Sequence, residues 1–300
     1  MNKKLGNPKQ LISAYELKFD AGSAYGKKVI LVHNGGMEMM FSKDNALDIL
    51  YLKYNGKNIS FLSKNGINDN RGTFINRFEA GFLYTCGMDN ISDLNSDKPM
   101  HGSLHITKAE NVKITTTEDA VIVEGIVKET ALFGKNLALY RRFTVKSDSV
   151  EINDTMVNEA FVDSDYVMLY HVNFGYPFLD ESLEIKMNLS KSEGRTPYAV
   201  QGLKDQFIIT APVDGGEEQC FYNYSKDGVV DLINKKLGVS CQMVYGLDTL
   251  PYQVEWKSMV SGDYALGIEP ATALFNNFKM MPIKAGEKKN FNIKLNFNQI

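Results

Sequence analysis

The sequence predicts an all-β protein built as a large antiparallel β-sandwich. Apolar and polar residues alternate along several segments, tight-turn dipeptides lie between those segments, and long helical stripes are missing from the sequence. Segment 290–298 shows the alternation most clearly, with one apolar face made of Phe291, Ile293, Leu295 and Phe297. This period of two is typical of a half-buried strand. We expect helix to make up less than about a fifth of the chain, below the usual share of about 30–35%.

Two earlier segments repeat this pattern. Segment 183–189 carries an apolar residue at every second position, and segment 137–145 does so with one polar exception on the apolar face, Arg141. The apolar positions are Leu183, Ile185, Met187, Leu189, Leu137, Leu139, Phe143 and Val145. Strands are therefore predicted for the middle of the chain as well as for its end.

Turn signals lie between the predicted strands. Asparagine and aspartate before glycine tolerate positive φ and close tight antiparallel turns. These signals are Asn55-Gly56, Asn65-Gly66, Asp214-Gly215-Gly216 and Asp227-Gly228. The best helix candidate, 272–281, is short and ends at Pro282. Many strands with turn residues between them favour a sandwich over βαβ units.

The chain is expected to form a single domain over residues 1–300. Its composition of 44% hydrophobic and 23% charged residues is that of a globular protein with a large core. Neither a repeat of fixed period nor a Pro/Ser-rich linker marks a boundary along the sequence.

Charge and cysteine content exclude several kinds of partner. The net charge of -3, with acidic and basic residues interspersed, offers no basic stripe for nucleic acid. The sequence also lacks an apolar run near the ~20 residues that a membrane helix needs. Three widely spaced cysteines suggest neither a disulfide framework nor a paired metal site, and no apolar leader is visible near residue 1. We therefore expect a cytoplasmic protein that contacts neither nucleic acid nor membrane.

Cofactor and metal motifs are missing from the sequence. It contains no GxGxxG, GxxxxGK[ST] or GxSxG pattern, and Asn34-Gly35-Gly36 is interpreted as a turn. His101 and His105 have the spacing of helical metal ligands, but Gly102 disfavours a helix and the Glu of HExxH is missing. We predict that the protein uses neither a cofactor nor a metal.

Acid–base residues remain as candidates for chemistry. His171 and Asn173 are two apart in a predicted strand and so point to one face, which can line a pocket. Glu269 lies between Ile268 and Pro270, an apolar setting that raises a carboxyl pKa and suits a general base. The residues alone also allow a hydrogen-bonded structural histidine and a glutamate that reaches water at a strand end.

Several motifs along most of the chain carry a resemblance to a known group of proteins. They are NGGME at 34–38, FLYTCGMDN at 82–90, MHG at 100–102, YHVNFGYP at 170–177, LPYQVEWK at 250–257 and GIEP at 267–270. With these motifs the sequence resembles the aldose 1-epimerase-like, galactose mutarotase-like superfamily. Within it, the resemblance is to a poorly characterised branch that includes deoxyribose mutarotase-like proteins.

The resemblance implies a β-supersandwich with a concave sugar-binding face and an acid–base pair on it. His171 matches the general acid of that superfamily, and Glu269 matches its general base. The implied sugar-binding residues are Arg77, His101, Glu218 in place of an aspartate, Trp256, and Lys257.

The expected activity is aldose 1-epimerization, the interconversion of the α and β anomers of a small-molecule sugar. In this mechanism Glu269 takes the proton of the anomeric hydroxyl while His171 protonates the ring oxygen. A non-catalytic carbohydrate-binding or sensing protein with the same fold is the alternative. A glycoside hydrolase or lyase is a third possibility, for which Glu218 and Glu269 would be the two carboxylates.

Overall fold

The computed structural model describes residues 3–69, 71–91, 98–276 and 278–300 of the chain. The chain is 53% strand and 7% helix, and its described strands form two antiparallel sheets. Both the all-β class and the low helix content predicted from the sequence are confirmed.

The smaller sheet contains five strands in sequence order. They are β1 (Ile12–Lys18), β2 (Lys28–Asn34), β3 (Met37–Ser42), β4 (Ile49–Tyr54) and β5 (Lys57–Asn58).

The larger sheet has 13 strands among the described residues. They are β6 (Leu83–Met88), β7 (Glu110–Thr116), β8 (Val121–Thr130), β9 (Asn136–Val145), β10 (Ser149–Asn158), β11 (Ser164–Phe174), β12 (Leu183–Gly194), β13 (Gln219–Asn234), β14 (Val239–Tyr245), β15 (Tyr252–Val260), β16 (Asp263–Ala271), β17 (Met281–Ile283) and β18 (Lys288–Gln299). The order is β17-β11-β16-β15-β13-β14-β18-β10-β9-β8-β7, with β12 paired to β13 and β6 to β11.

The helices of the described residues are short. Two are α-helical, α1 (Phe74–Arg77) and α2 (Pro197–Gly202), and three are single 3-10 turns, Pro8–Gln10, Leu104–Ile106 and Leu203–Asp205. None of them has the length and apolar character needed to cross a bilayer.

Aromatic side chains from both sheets meet in the core. The rings of Phe41 from β3 and Phe143 from β9 lie 5.1 Å apart, edge to face. Tyr54 from β4 and Phe297 from β18 pack at 5.5 Å. Phe143 and Phe297 belong to the alternating apolar faces predicted from the sequence, and both are buried. The alternation therefore marks the face of the large sheet that the small sheet covers.

Two local predictions are wrong. Asp227-Gly228 is not a turn between strands but lies within β13, where the pairing with β12 changes register. At this point β13 stops pairing with β15 and starts pairing with β14, and the positive φ of Gly228 (69°) serves the bend. Segment 272–281 has no helix among its described residues, because Ala273 and Leu274 are buried in extended or turn conformations.

Charged side chains join the two sheets in the interior, and we call this group the buried ion chain. Arg141, the polar exception in the pattern of β9, contacts Asp48 at 2.8 Å and Asp154 at 3.1 Å. His105 lies 2.7 Å from Asp48 and 3.5 Å from Glu79. The full set is Lys27, Glu79, His105, Asp48, Arg141 and Asp154.

The charges of the buried ion chain balance when His105 is protonated. Burial lowers the pKa of His105, but its hydrogen bonds to Asp48 and Glu79 outweigh this and leave the pKa raised. A protonated His105 gives three cations and three carboxylates. Buried charges that are fully paired avoid most of the desolvation cost of an isolated ion.

Candidate active site

Strand register places His171 opposite Glu269 in the large sheet. Strands β11 and β16 pair antiparallel, with Leu169 facing Ala271 and Val172 facing Ile268. The same register sets His171 across from Glu269, and His171 Nε2 lies 3.2 Å from Glu269 Oε1. Both side chains are buried, with 4% and 1% exposed. Two residues 98 positions apart in the sequence are thus held side by side by adjacent strands.

Gly267 leaves the space that this contact needs. A Cβ atom at Gly267 would lie 2.4 Å from Glu269 Oε1 and 3.1 Å from both His171 Cε1 and Trp256 Cβ. Even alanine at this position would therefore displace the carboxylate.

Gly267→Ala is expected to separate the His171–Glu269 contact while the sheet still folds, because the added methyl meets side-chain atoms rather than backbone. In the acid–base role that the sequence resemblance implies for this pair, a displacement near 1 Å is expected to lower turnover about 10²-fold. Kinetics and thermal melting of Gly267→Ala and of Gly262→Ala provide the test. Gly262 has no atom near its would-be Cβ but a positive φ, so it controls for general strain. Unchanged turnover in Gly267→Ala would contradict the expectation.

Burial favours the neutral forms of both members of the pair. Burial raises the pKa of Glu269 well above its ordinary value, the charge of Glu218 adds to this, and Arg195 opposes it. Burial lowers the pKa of His171 well below its ordinary value, and His101 adds to that shift. These shifts favour a resting pair that holds one proton on Glu269 rather than on His171, with 3.2 Å between Glu269 Oε1 and His171 Nε2.

His101 stands close to this pair with a defined tautomer. Its ring centroid is 5.6 Å from that of His171, and its Nδ1 lies 2.9 Å from the carbonyl oxygen of Ile91. Because a carbonyl only accepts, Nδ1 carries the proton and Nε2 remains an acceptor. Burial lowers the pKa of His101 to about 4, so the ring is neutral near pH 7. Its backbone φ of 64° is unusual for a residue with a side chain.

Trp256 and Glu218 form the next part of the site. Trp256 lies on β15, beside β16, with its ring centroid 5.4 Å from that of His171. Its Nε1 donates a hydrogen bond of 2.7 Å to Glu218 Oε2. This hydrogen bond fixes the orientation of the indole ring, and the other carboxylate oxygen of Glu218 remains available to other partners.

These side chains share one cavity of about 570 Å³. His101, His171, Glu218, Trp256 and Glu269 all line it. Its other walls are largely aromatic, from Phe61, Phe74, Phe78 and Phe275. Ligand sites typically combine apolar walls with a few placed polar groups, as this cavity does.

Two residues predicted to bind the sugar do not line the cavity. Strand alternation places Trp256 and Ser258 on the cavity face of β15 and Lys257 on the opposite face. Lys257 Nζ donates there to the carbonyl oxygens of Asp205, Gln206 and Ile208. This side chain ties down the segment after α2.

Arg77 is the second of these residues. It ends α1 and is only 8% exposed, while Phe74 and Phe78, one turn apart, face the cavity. Burial raises the pKa of the Tyr84 phenol well above its ordinary value, and the positive charge of Arg77 opposes part of that shift.

Sequence reasoning missed Arg195, a cation that does line the cavity. It follows the end of β12, its backbone N–H donates to the Cys220 carbonyl, and its guanidinium lies 5.6 Å from the centre of the Phe275 ring. Arg195 also lines an adjoining cavity of about 620 Å³. A lone arginine outside an alternating segment carries no periodic signal, so only the fold reveals it.

No group of three or more metal-ligating side chains lies in the part of the chain that the structure describes. His105 contacts Asp48 and Glu79 in the buried ion chain, whereas His101 lines the cavity. The two histidines therefore do not act together as ligands.

The sequence from residue 24 to residue 296 matches the family described as "Domain of unknown function (DUF4432)". The chain belongs to the DUF4432 family. No curated protein matches the sequence of this DUF4432 protein.

Solved structures show which fold this DUF4432 protein has. An aldose 1-epimerase candidate from Klebsiella pneumoniae superimposes with a TM-score of 0.86 at 19% identity, covering 96% of this chain and 88% of the other. A galactose mutarotase-like protein from Clostridium acetobutylicum gives 0.75 at 17% identity, covering 97% and 100%. The galactose 1-epimerase from Lactobacillus acidophilus gives 0.69 at 12% identity, covering 96% and 99%. The DUF4432 protein therefore has the mutarotase-like fold, as the sequence resemblance implied.

Proposed function

We propose that this protein is an aldose 1-epimerase that interconverts the α and β anomers of a sugar. The observation that carries the proposal is the 3.2 Å contact between His171 Nε2 and Glu269 Oε1 in the wall of a cavity large enough for a sugar. The reaction needs one group that takes a proton and one that gives a proton around a single ring, and this pair supplies both.

The rest of the cavity suits a sugar ring. The apolar C–H face of a pyranose or furanose packs on aromatic side chains, for which Trp256 and Phe78 are available. His101 Nε2 accepts a hydrogen bond from a sugar hydroxyl, and Glu218 accepts another through its remaining lone pairs. The polar groups thus favour a ligand that brings hydroxyl donors.

The mechanism runs through the form of the pair in which the proton has moved from Glu269, where it lies at rest, to His171. In that form Glu269 takes the proton of the O1 hydroxyl, the C1–O5 bond breaks to give the aldehyde, and His171 protonates O5. Rotation about C1–C2 and reclosure through the reverse transfers give the other anomer. The single proton of the pair is conserved over the cycle, and each positioned transfer contributes about 10²–10⁴-fold.

The pH profile is expected to be bell-shaped, because only the pair with one proton is active. At ordinary pKa values Glu269 would set the acidic limb and His171 the basic limb. Burial exchanges the roles of the two residues. The acidic limb reports the pair gaining a second proton, on His171, well below pH 6.5. The basic limb reports the loss of the proton of Glu269, well above pH 4.5. Rate against pH, corrected for the uncatalysed rate, measures both limbs. A rate that rises steadily with pH would argue against a one-proton pair.

The proposal is tested by NMR exchange spectroscopy or polarimetry on a panel of aldoses. Catalysed exchange above the spontaneous rate supports it, provided that the exchange is lost in a preparation of the His171→Asn, Glu269→Gln double variant. That variant controls for contaminating enzymes. Binding of a sugar without any exchange on the panel would favour the binding-protein alternative and overturn the proposal.

A further inference from the structure

Asn173 lies next to the proposed acid–base pair in the sheet, opposite Gly267 in the register of β11 and β16. It follows His171 by two residues on β11, so the two side chains share one face of the strand. Asn173 is 0% exposed and does not line the cavity. The sequence predicted that His171 and Asn173 share a strand face that can line a pocket; of the two, His171 lines the cavity and Asn173 does not.

Hydrogen bonds fix the orientation of the Asn173 amide. Its Nδ2 donates to the carbonyl oxygens of Gly81 and His171, each at 3.1 Å. Because both N–H groups of Nδ2 donate to these carbonyls, the positions of Nδ2 and Oδ1 in the amide are defined, and Oδ1 points away from both carbonyls. Asn173 Oδ1 is buried and has no aligned hydrogen-bond partner among the described residues.

His171 has the complementary atom. Its Nε2 lies against Glu269, while its Nδ1 is buried without an aligned partner in the described part of the chain. A buried polar atom without a hydrogen bond is unfavourable, so two such atoms on neighbouring side chains favour pairing with each other. Hydrogen bonds in unliganded sites are often poorly aligned and tighten when substrate binds.

We propose that Asn173 is the positioning residue of the site: its Oδ1 accepts a hydrogen bond from the Nδ1–H of His171 and thereby holds Nε2 toward Glu269 and the sugar. The tautomer of His171 is inferred from the contacts of His171 and Asn173 alone. The effect of Asn173 on the reaction rate rests on the proposed epimerase activity. A backbone carbonyl does the same for His101, whose Nδ1–H donates a hydrogen bond to the carbonyl oxygen of Ile91. Both histidines would then present an unprotonated Nε2 in the resting state.

The inferred contact also accounts for how His171 carries a charge during turnover. When the proton moves from Glu269 to Nε2, the imidazolium has two N–H donors, and Asn173 Oδ1 accepts from the inner one. Burial lowers the pKa of His171, His101 lowers it further, and the hydrogen bond with Asn173 opposes both effects in part. The titratable groups facing the ring are Glu269 and His101. An amide supports the cation without a second carboxylate that would hold the proton permanently.

The test is ¹⁵N NMR of ring-labelled histidine in the folded protein, which has four histidines. His171→Asn assigns the His171 signals. The informative variants are Asn173→Leu, which removes the acceptor, and Asn173→Asp, which replaces it with a carboxylate. Asn158→Leu is the matched control, because Asn158, at the end of β10, is also buried and donates to two backbone carbonyls but does not line the cavity.

We expect wild-type His171 to carry its proton on Nδ1, and Asn173→Leu to lose this fixed tautomer. In Asn173→Asp the Nδ1–H form should persist, with the pKa of His171 raised by about 1–3 pH units. If the protein turns over a sugar, kcat should fall about 10²-fold in Asn173→Leu and recover at least partly in Asn173→Asp, whereas Asn158→Leu should affect stability only.

A wild-type His171 protonated on Nε2, or an unchanged pKa in Asn173→Asp, would overturn the inference. If Asn173→Leu does not fold, the wild type and Asn173→Asp still decide it. The NMR measurement needs no substrate. If the protein has no epimerase activity, the proposed function is wrong, and the tautomer and pKa of His171 still decide this inference.

Discussion

Glu269→Gln is expected to lower the catalysed rate of anomer exchange by about 10²-fold or more while sugar affinity changes little. Glutamine keeps the shape of the side chain and its hydrogen bonding but can neither take the O1 proton nor hold the proton of the resting pair. His171→Asn should have a similar effect. Because the two residues share one proton across 3.2 Å, the double variant should lose little beyond the worse single variant.

A matched control for this experiment lies on the other side of the same sheet. Glu255 is also a fully buried glutamate, but β15 directs it away from the cavity toward Gln206 and Asn223. Glu255→Gln should therefore leave kcat within about twofold. Exchange kinetics of the three variants and the control, measured by NMR after subtraction of the spontaneous rate, make the comparison. A Glu269→Gln protein as active as the wild type would remove Glu269 from its role.

Arg141→Met is expected to destabilise the protein by about 3–5 kcal/mol, the usual cost of removing one partner from a buried ion pair. Arg141 is fully buried and neutralises Asp48 and Asp154 together. It also donates to the Ala46 carbonyl and to Thr85 Oγ1. Methionine therefore removes the cation that lies between the two carboxylates, although Asp48 keeps its contact with His105 and Asp154 keeps the hydrogen bond from Tyr170.

The neighbouring arginine provides the control for this substitution. Arg142 points to the opposite face of β9 and pairs with Glu124 where both side chains are partly exposed. Exposed pairs contribute at most about 1 kcal/mol, so Arg142→Met should cost no more than that. Urea unfolding of the two variants measures the difference. Equal losses of stability would mean that the buried ion chain does not hold the two sheets together.

Periodicity predicted the strands because burial on one face of a sheet repeats every second residue. In β18 the apolar series from Phe291 to Phe297 is buried at each position, as the alternation indicated. The same reasoning found Arg141 as an exception but not its meaning, because its partners Asp48 and Asp154 come from other strands. Pairing across distant segments leaves no mark in a local pattern.

The positions of the turns and the residues that line the cavity were harder to predict, because both depend on contacts between distant segments. Gly56 and Gly228 both have a positive φ, but Gly56 lies in a hairpin and Gly228 lies at a bend inside a strand. The dipeptides that contain them, Asn55-Gly56 and Asp227-Gly228, look alike in the sequence. The resemblance implies both Trp256 and Lys257 as pocket residues, but adjacent residues in a strand face opposite sides, and only Trp256 lines the cavity. Arg195 lay outside any recognisable pattern, and only the packing of the end of β12 against β13 brings it to the cavity.

The position of Trp256 has a practical consequence. It is the only tryptophan in the sequence, and its ring lies between His171, Phe78 and Phe61 with Nε1 bonded to Glu218. All indole emission from the protein therefore originates in this cavity. The fluorescence of the unlabelled chain is a direct optical record of whether the cavity is empty or filled, for a sugar that reacts and equally for one that does not.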